Sequence, residues 1–156
     1  MIGYFPGVRF LGDPADYEGL YSFGYRLKAV FLDSEDKYAF FWSSGIVGDF
    51  PLHNYMTEFI LSRLGGSSGA VVAPRGSAVL VADIYKFGYV FEVETGLKRD
   101  LSALVRRLRT YREFCYVVVP NLRLKARYRA SLPSFHGRIN SLLEFSRSFT
   151  VPDAFF

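Results

Sequence analysis

Ala78-Val79-Leu80-Val81-Ala82-Asp83, a turn at Tyr85-Lys86-Phe87-Gly88, and Tyr89-Val90-Phe91-Glu92-Val93-Glu94 form the stretch whose reading decides the fold. The first run is almost continuously apolar, as expected of a strand covered on both faces. The second alternates, with Tyr89, Phe91 and Val93 on one face and Val90, Glu92 and Glu94 on the other. Side chains two residues apart on a strand stand roughly 6.5–7 Å apart, so Glu92 and Glu94 repel unless a cation or a basic partner lies between them. Asp83 ends the first strand, and a tight hairpin brings it beside both. Three converging carboxylates make a hard, oxygen-rich pocket suited to Mg²⁺ or Mn²⁺. Such an ion can generate a hydroxide nucleophile and stabilise a phosphodiester transition state. The same spacing equally describes a solvated hairpin with acids on its wet face.

Working outward, Leu52 to Leu64 carries Leu52, Tyr55, Met56, Phe59, Ile60 and Leu64 on one helical arc, with Pro51 suited to its first turn. Glu58 lies off that arc and Arg63 falls within it. Gly65-Gly66-Ser67-Ser68-Gly69 stops the helix and, lacking a following Lys-Ser/Thr, is no phosphate-binding P-loop. Further upstream, Tyr25 to Leu32, a turn at Asp33-Ser34-Glu35-Asp36 and Lys37 to Trp42 read as a β-hairpin. Downstream, an amphipathic helix is expected from Leu97 to Arg112. Lys98, Arg99, Arg106, Arg109 and Arg112 flank its apolar stripe, and Arg107 points elsewhere. Phe114 to Val119 has a buried-strand signature. Leu122 to Leu132 is a helix dense in cations, with Arg123, Lys125, Arg127 and Arg129, and a last helix runs from Arg138 to Arg147. Tyr111 and Tyr128, interleaved with the arginines, are potential stacking groups for bases. The order predicts an α/β fold, a mixed central β-sheet flanked by helices. We read a single domain over 1–156: an N-terminal β extension to residue 50, a core over 51–132, and a C-terminal helix and tail over 133–156.

The chain has 156 residues, half of them apolar and 18% aromatic, which excludes a disordered chain. Its net charge of +4 is unevenly distributed. Residues 1–95 carry 7 basic and 11 acidic side chains, and residues 96–156 carry 12 basic and 4 acidic ones. Such asymmetry fits a polyanion-binding surface on the second part, and equally fits solvated helix faces. The single cysteine, Cys115, excludes an internal disulfide and reads as a small buried hydrophobe. Without a membrane-spanning run or a signal peptide, an intracellular, reducing location in the cytoplasm is expected. Arg outnumbers Lys by 14 to 5, which fits a GC-rich or thermophilic source such as an archaeon or its mobile elements. His53 opens the Glu58 helix, either as an auxiliary phosphate or proton-transfer group or as a partly exposed cap neighbour. His136 reads as a turn residue.

A helix with Glu58, a strand ending in Val81-Ala82-Asp83, a turn, a strand ending in Glu92-Val93-Glu94, an amphipathic helix and a further strand follow one another over roughly residues 50–130. That order resembles the PD-(D/E)XK nuclease superfamily, which includes restriction endonucleases and archaeal Holliday junction resolvases. The resemblance implies a restriction-endonuclease-like core in which Asp83 and Glu92 bind metal and Glu58 is the acid of the preceding helix. The family's lysine should stand where this chain has Glu94, which adds a metal ligand and removes a positive charge. Lys98 is the obvious migrant for that role, and Lys86 is a second. The implied function is a Mg²⁺- or Mn²⁺-dependent DNA endonuclease, with Asp83, Glu92 and Glu94 on the metal and the cations of the second part on DNA. Two other readings stand beside it. One is a non-catalytic nucleic-acid-binding protein on the same scaffold; the other is a homodimeric interaction protein whose aromatic N-terminal hairpin forms an interface.

Overall fold

The computed structural model describes residues 8–11, 19, 23–46, 48–65, 67–72, 80–86, 88–111 and 115–146. Two mixed sheets are flanked by helices. The smaller has the order β1-β3-β2, from Val8–Phe10 (β1), Arg26–Leu32 (β2) and Lys37–Ser43 (β3). Its antiparallel β2–β3 pair is the expected hairpin, and β1 adds in parallel to β3. Asp36 takes a left-handed φ of 53° in the connecting turn, a conformation that Asp tolerates better than most residues.

Helix α1 spans Phe50–Leu64, and its Leu52, Met56, Ile60 and Leu64, each one turn apart, are buried. Gly65, with φ of 76°, ends it and donates its N–H to Leu61 O. The larger sheet follows, in the order β4-β5-β6-β7-β8: Ser67–Val72 (β4), Leu80–Lys86 (β5), Tyr89–Val93 (β6), Cys115–Val119 (β7) and Ile139–Ser141 (β8). The β4–β5 and β5–β6 pairs are antiparallel, and the β6–β7 and β7–β8 pairs are parallel. Helices α2 (Ser102–Tyr111), α3 (Leu122–Ser131) and α4 (Leu142–Ser146) complete the order, with a 3₁₀ segment at Pro133–Arg138.

The alternation of β6 and β7 builds two cores on opposite faces of this sheet. Tyr89, Phe91, Val93, Tyr116 and Val118 pack with Leu52, Met56 and Ile60 of α1, with Phe145 of α4, and with Val30, Leu32 and Phe41 of the smaller sheet. Val90, Cys115, Val117 and Val119 pack with Leu104 and Leu108 of α2 and Tyr128 of α3. The central sheet is thus covered on both faces, which is why its inner strands read as nearly unbroken apolar runs.

Several boundaries differ from the sequence reading. Residues 67–69, expected within the Gly-rich stop after α1, instead open β4 (67–72), because pairing with β5 over Ser67↔Tyr85 to Val72↔Leu80 organises a segment whose start has little strand character of its own. Helix α2 begins at Ser102 rather than Leu97. The Asp100 carboxylate accepts from both the Ser102 amide and hydroxyl, at 2.9 and 2.7 Å, and this Asx turn holds the preceding residues out of the helix. The helix expected over 138–147 gives way to β8 and the short α4, because Ile139–Ser141 pairs with Val117–Val119 on the open edge of β7. Ala78, Val79, Phe87, Arg112, Phe114 and Arg147 lie outside the described residues, as does the tail from 147 onward. No helix among the described residues is long and apolar enough to cross a membrane.

Candidate functional site

Asp83 lies inside β5, not at its end. It nevertheless sits where the sheet opens. The β5–β6 ladder covers only Ile84–Lys86 with Tyr89–Phe91, and Asp83 is the first residue beyond it. Ala82 belongs to the core of α2 and α3 while Ile84, two residues on, belongs to that of α1, so β5 changes its facing at Asp83. Such local irregularities in a sheet commonly re-aim a side chain. Here Asp83 Oδ2 accepts the Val93 amide at 2.8 Å, where a backbone carbonyl would otherwise serve.

The opening is a cleft of about 340 Å³ lined by Asp83, Glu92, Glu94, Lys98 and, from α1 and α2, His53 and Arg107. The expected carboxylates and Lys98 are therefore brought together. Lys98 reaches the cleft from the connection before α2 rather than from within that helix. Glu58 is not brought in. It is five residues past His53 on α1, which turns it onto an exposed face away from the cleft.

Each acid is held by specific partners. His53 Nε2 lies 3.3 Å from Asp83 Oδ1. That hydrogen bond raises the His53 pKa against the opposing effect of burial, and the Asp83 charge adds to it. Burial alone would raise the Asp83 carboxyl, but hydrogen bonds with His53, Glu92 and the Val93 amide carry it below its ordinary value. Glu92 is only 5% exposed, and its Oε1 accepts from Arg107 Nη2 at 2.7 Å and Nε at 3.1 Å. Burial, then the charge of Asp83, pushes the Glu92 carboxyl up to about 7 in spite of Arg107. Glu94 is also raised, by burial first, with Lys98 opposing and the charges of Asp83 and Asp49 adding. Asp49, just ahead of α1, receives the Thr95 hydroxyl and completes the acidic side.

Arg107, Asp49 and the His53–Asp83 contact are the parts that sequence reading missed. Arg107 was expected to point elsewhere. Its position three residues after Leu104 and four before Tyr111, both buried, sets it at the edge of the buried arc and was the available signal. Its Nη2 also donates to Val81 O at 2.6 Å and Tyr111 Oη at 3.1 Å, so one guanidinium ties β5, β6 and α2 together.

Among the described residues, no three His, Cys, Asp or Glu side chains are arranged to hold a metal ion as they stand. The expected convergence of Asp83, Glu92 and Glu94 on one point is replaced by engagement with His53, the Val93 amide and Arg107. Of the expected phosphate-binding set, Arg99, Arg106, Arg109, Arg123 and Arg127 are exposed, and Arg112 lies outside the described residues. Lys125 is turned inward onto Glu144 with 14% of its side chain exposed, and Arg129 has its Nε shut off from solvent. Tyr111 and Tyr128 are buried, which removes both as stacking platforms. Cys115 is buried as expected. His136 is an exposed residue of the 3₁₀ segment. No protein-family model, curated protein or solved structure matches this chain.

Proposed function

We propose that the cleft hydrolyses phosphodiester bonds and that the chain is a divalent-cation-dependent DNA endonuclease of the restriction-endonuclease-like kind. One observation carries the reading: Asp83 of β5, Glu92 of β6 and Glu94 just beyond β6 line one cleft together with Lys98 and Arg107. The order α1, β5, turn, β6, α2, β7 supports it, since this is the order on which the resemblance to the PD-(D/E)XK superfamily rests, with β4 added between α1 and β5.

The donor set fits a hard cation. Carboxylate oxygens are what Mg²⁺ and Mn²⁺ prefer, and the buried carboxyls of Glu92 and Glu94, raised first by burial, would regain in a bound cation the stabilisation of their charge that water no longer gives. Asp83, Glu92 and Glu94 would hold the ion, which when bound supplies positive charge on the phosphate and an activated water. The chain's own groups do the rest. The Val93 amide and His53 fix Asp83, and Arg107 fixes Glu92. Lys98 brings to Glu94 the positive charge that Glu94 itself removes from the motif. Exposed Arg99, Arg106 and Arg109 suit phosphate through their planar forks.

The test is nicking of supercoiled, single-stranded and branched DNA with Mg²⁺ or Mn²⁺. Nicking is expected, and it should disappear with chelator, with Asp83→Asn and with Glu92→Gln. Undiminished cleavage by both variants would sink the proposal. Salt-dependent binding without cleavage by the wild type would favour the non-catalytic nucleic-acid-binding reading, to which Glu94 in the lysine position already points.

A further inference from the structure

Thr95 borders the cleft. That residue also lines a second, larger groove of about 730 Å³ on the side of the smaller sheet. Its walls are Phe31 and Tyr38 of the β2–β3 hairpin, Leu97 of the connection before α2, and Leu122, Arg123 and Arg127 of the first turns of α3. Three of these are large side chains open to solvent: Tyr38 at 52%, Leu97 at 39% and Leu122 at 54%. The Tyr38 and Phe31 rings meet in a T-shaped pair with centroids 5.3 Å apart, so the hairpin holds Tyr38 while about half of it stays open to solvent.

The charged groups that the groove presents to solvent are cations. Arg123 is exposed and, among the described residues, makes no hydrogen bond or ion pair. Arg127 spends one Nη2 contact of 2.8 Å on Gly96 O and lies over its neighbour Tyr128, leaving further donors outward. Asp33 also borders the groove, but both its carboxylate oxygens are shut off from solvent, so neither can contact an occupant there.

We infer that this groove binds single-stranded nucleotides that flank the phosphodiester held in the cleft. Bases lie on Tyr38, Leu97 and Leu122, and phosphates meet Arg123 and Arg127. Three features argue for that occupant. Thr95 borders both the groove and the cleft, the exposed cations of the groove match a phosphate backbone, and its open aromatic and aliphatic side chains match unpaired bases. Paired bases keep their faces stacked within the duplex, so this floor serves only unpaired ones. The inference rests on the nuclease reading of the cleft.

The test is fluorescence anisotropy of the full chain in chelator, with a labelled single-stranded oligonucleotide of about 12 nucleotides, within the usual ~4–16-nucleotide range of such sites. Tyr38→Ala and Arg123→Glu should each weaken binding about five- to tenfold, the order of one lost stacking or phosphate contact. Tyr38→Trp should retain it, which separates loss of stacking from loss of fold. A blunt duplex of the same sequence should be much less affected. Affinities for both weakening variants within about twofold of a wild type that binds and nicks would overturn the groove and leave the nuclease reading standing. Equal losses on single strand and duplex, or no binding by the wild type, would also overturn the groove. Weakened binding in the variants with no nicking by the wild type would remove the nuclease reading and keep the groove as a single-strand site.

Discussion

Replacing Glu92 by Gln tests whether burial in the cleft, with the charge of Asp83 beside it, opposes ionisation of the Glu92 carboxyl. The Glu92 carboxyl rises from 4.5 to about 7 on folding, and its side chain is 5% exposed, so little of this effect is screened by solvent. A raised carboxyl pKa means that the folded state binds more protons between the two values. Stability must then fall as pH rises through that window. Taking 1.36 kcal/mol per pH unit, ionisation of Glu92 removes about 2.5 kcal/mol of stability between pH 5 and 8. Glu92→Gln keeps the shape and removes the titration, so that loss should vanish in the variant. His53, also raised on folding, stabilises below its ordinary pKa and loses that contribution as pH rises through the folded value; it is present in both proteins and cancels in the difference. The assay is urea unfolding of wild type and variant at pH 5 and 8 in chelator. The variant should gain on the wild type by about 2–3 kcal/mol as pH rises. Curves that stay parallel within about 0.5 kcal/mol would refute the reasoning, because Glu92 would then be ionised at little cost.

Binding of duplex DNA should be moderately salt-dependent. If exposed Arg99, Arg106 and Arg109 each meet a phosphate, log K should fall against log salt with a slope of about −2.7, and a slope near −7 would mean that inward-turned cations such as Lys125 also engage. Gly96→Ala should cost about 1–3 kcal/mol in denaturant unfolding, since Gly96 has φ of 83° and a Cβ there would lie 2.6 Å from a Leu124 methyl. Cys115, buried and with its thiol pushed well above the ordinary range, should resist alkylation in the native protein and react at once on unfolding; modification at the free-thiol rate under native conditions would contradict its burial. Glu58→Ala should leave both nicking and stability within about 0.5 kcal/mol-equivalent of wild type, and loss of nicking would require Glu58 to reach the cleft.

The parts of the fold that were legible are those where one local pattern decides. Tyr89, Phe91 and Val93 alternate with Val90 and Glu92 because a strand projects successive side chains to opposite faces, and the two cores follow that division. The one-turn spacing of Leu52, Met56, Ile60 and Leu64 likewise anticipated α1. The missed elements depend on distant partners. Ser67-Ser68-Gly69 reads as a turn until β5 lies beside it, and Ile139-Asn140-Ser141 is a strand only because β7 offers an edge.

The site divides in the same way. Asp83, Glu92, Glu94 and Lys98 were visible because two strands and the connection after them carry these residues close in sequence. His53 and Asp49 come from a helix start some 30 residues earlier and join them only when α1 packs across the sheet. Arg107 changes the meaning of the charge asymmetry itself. The basic second part of the chain was a candidate surface for a polyanion, yet Arg107 is spent on Glu92 and Lys125 on Glu144. Arg107 goes to an acid of the first part, so part of the asymmetry between the two halves of the sequence is satisfied internally when they fold together. What remains outward is smaller and more specific: Arg99, Arg106 and Arg109 near one end of the cleft-forming segment, and Arg123 and Arg127 along the groove beyond Thr95. A surface built that way would grip a strand leading away from the acids, since Arg107 is spent on Glu92, the charge of Lys98 acts on Glu94, and the exposed arginines lie outside the cleft lining.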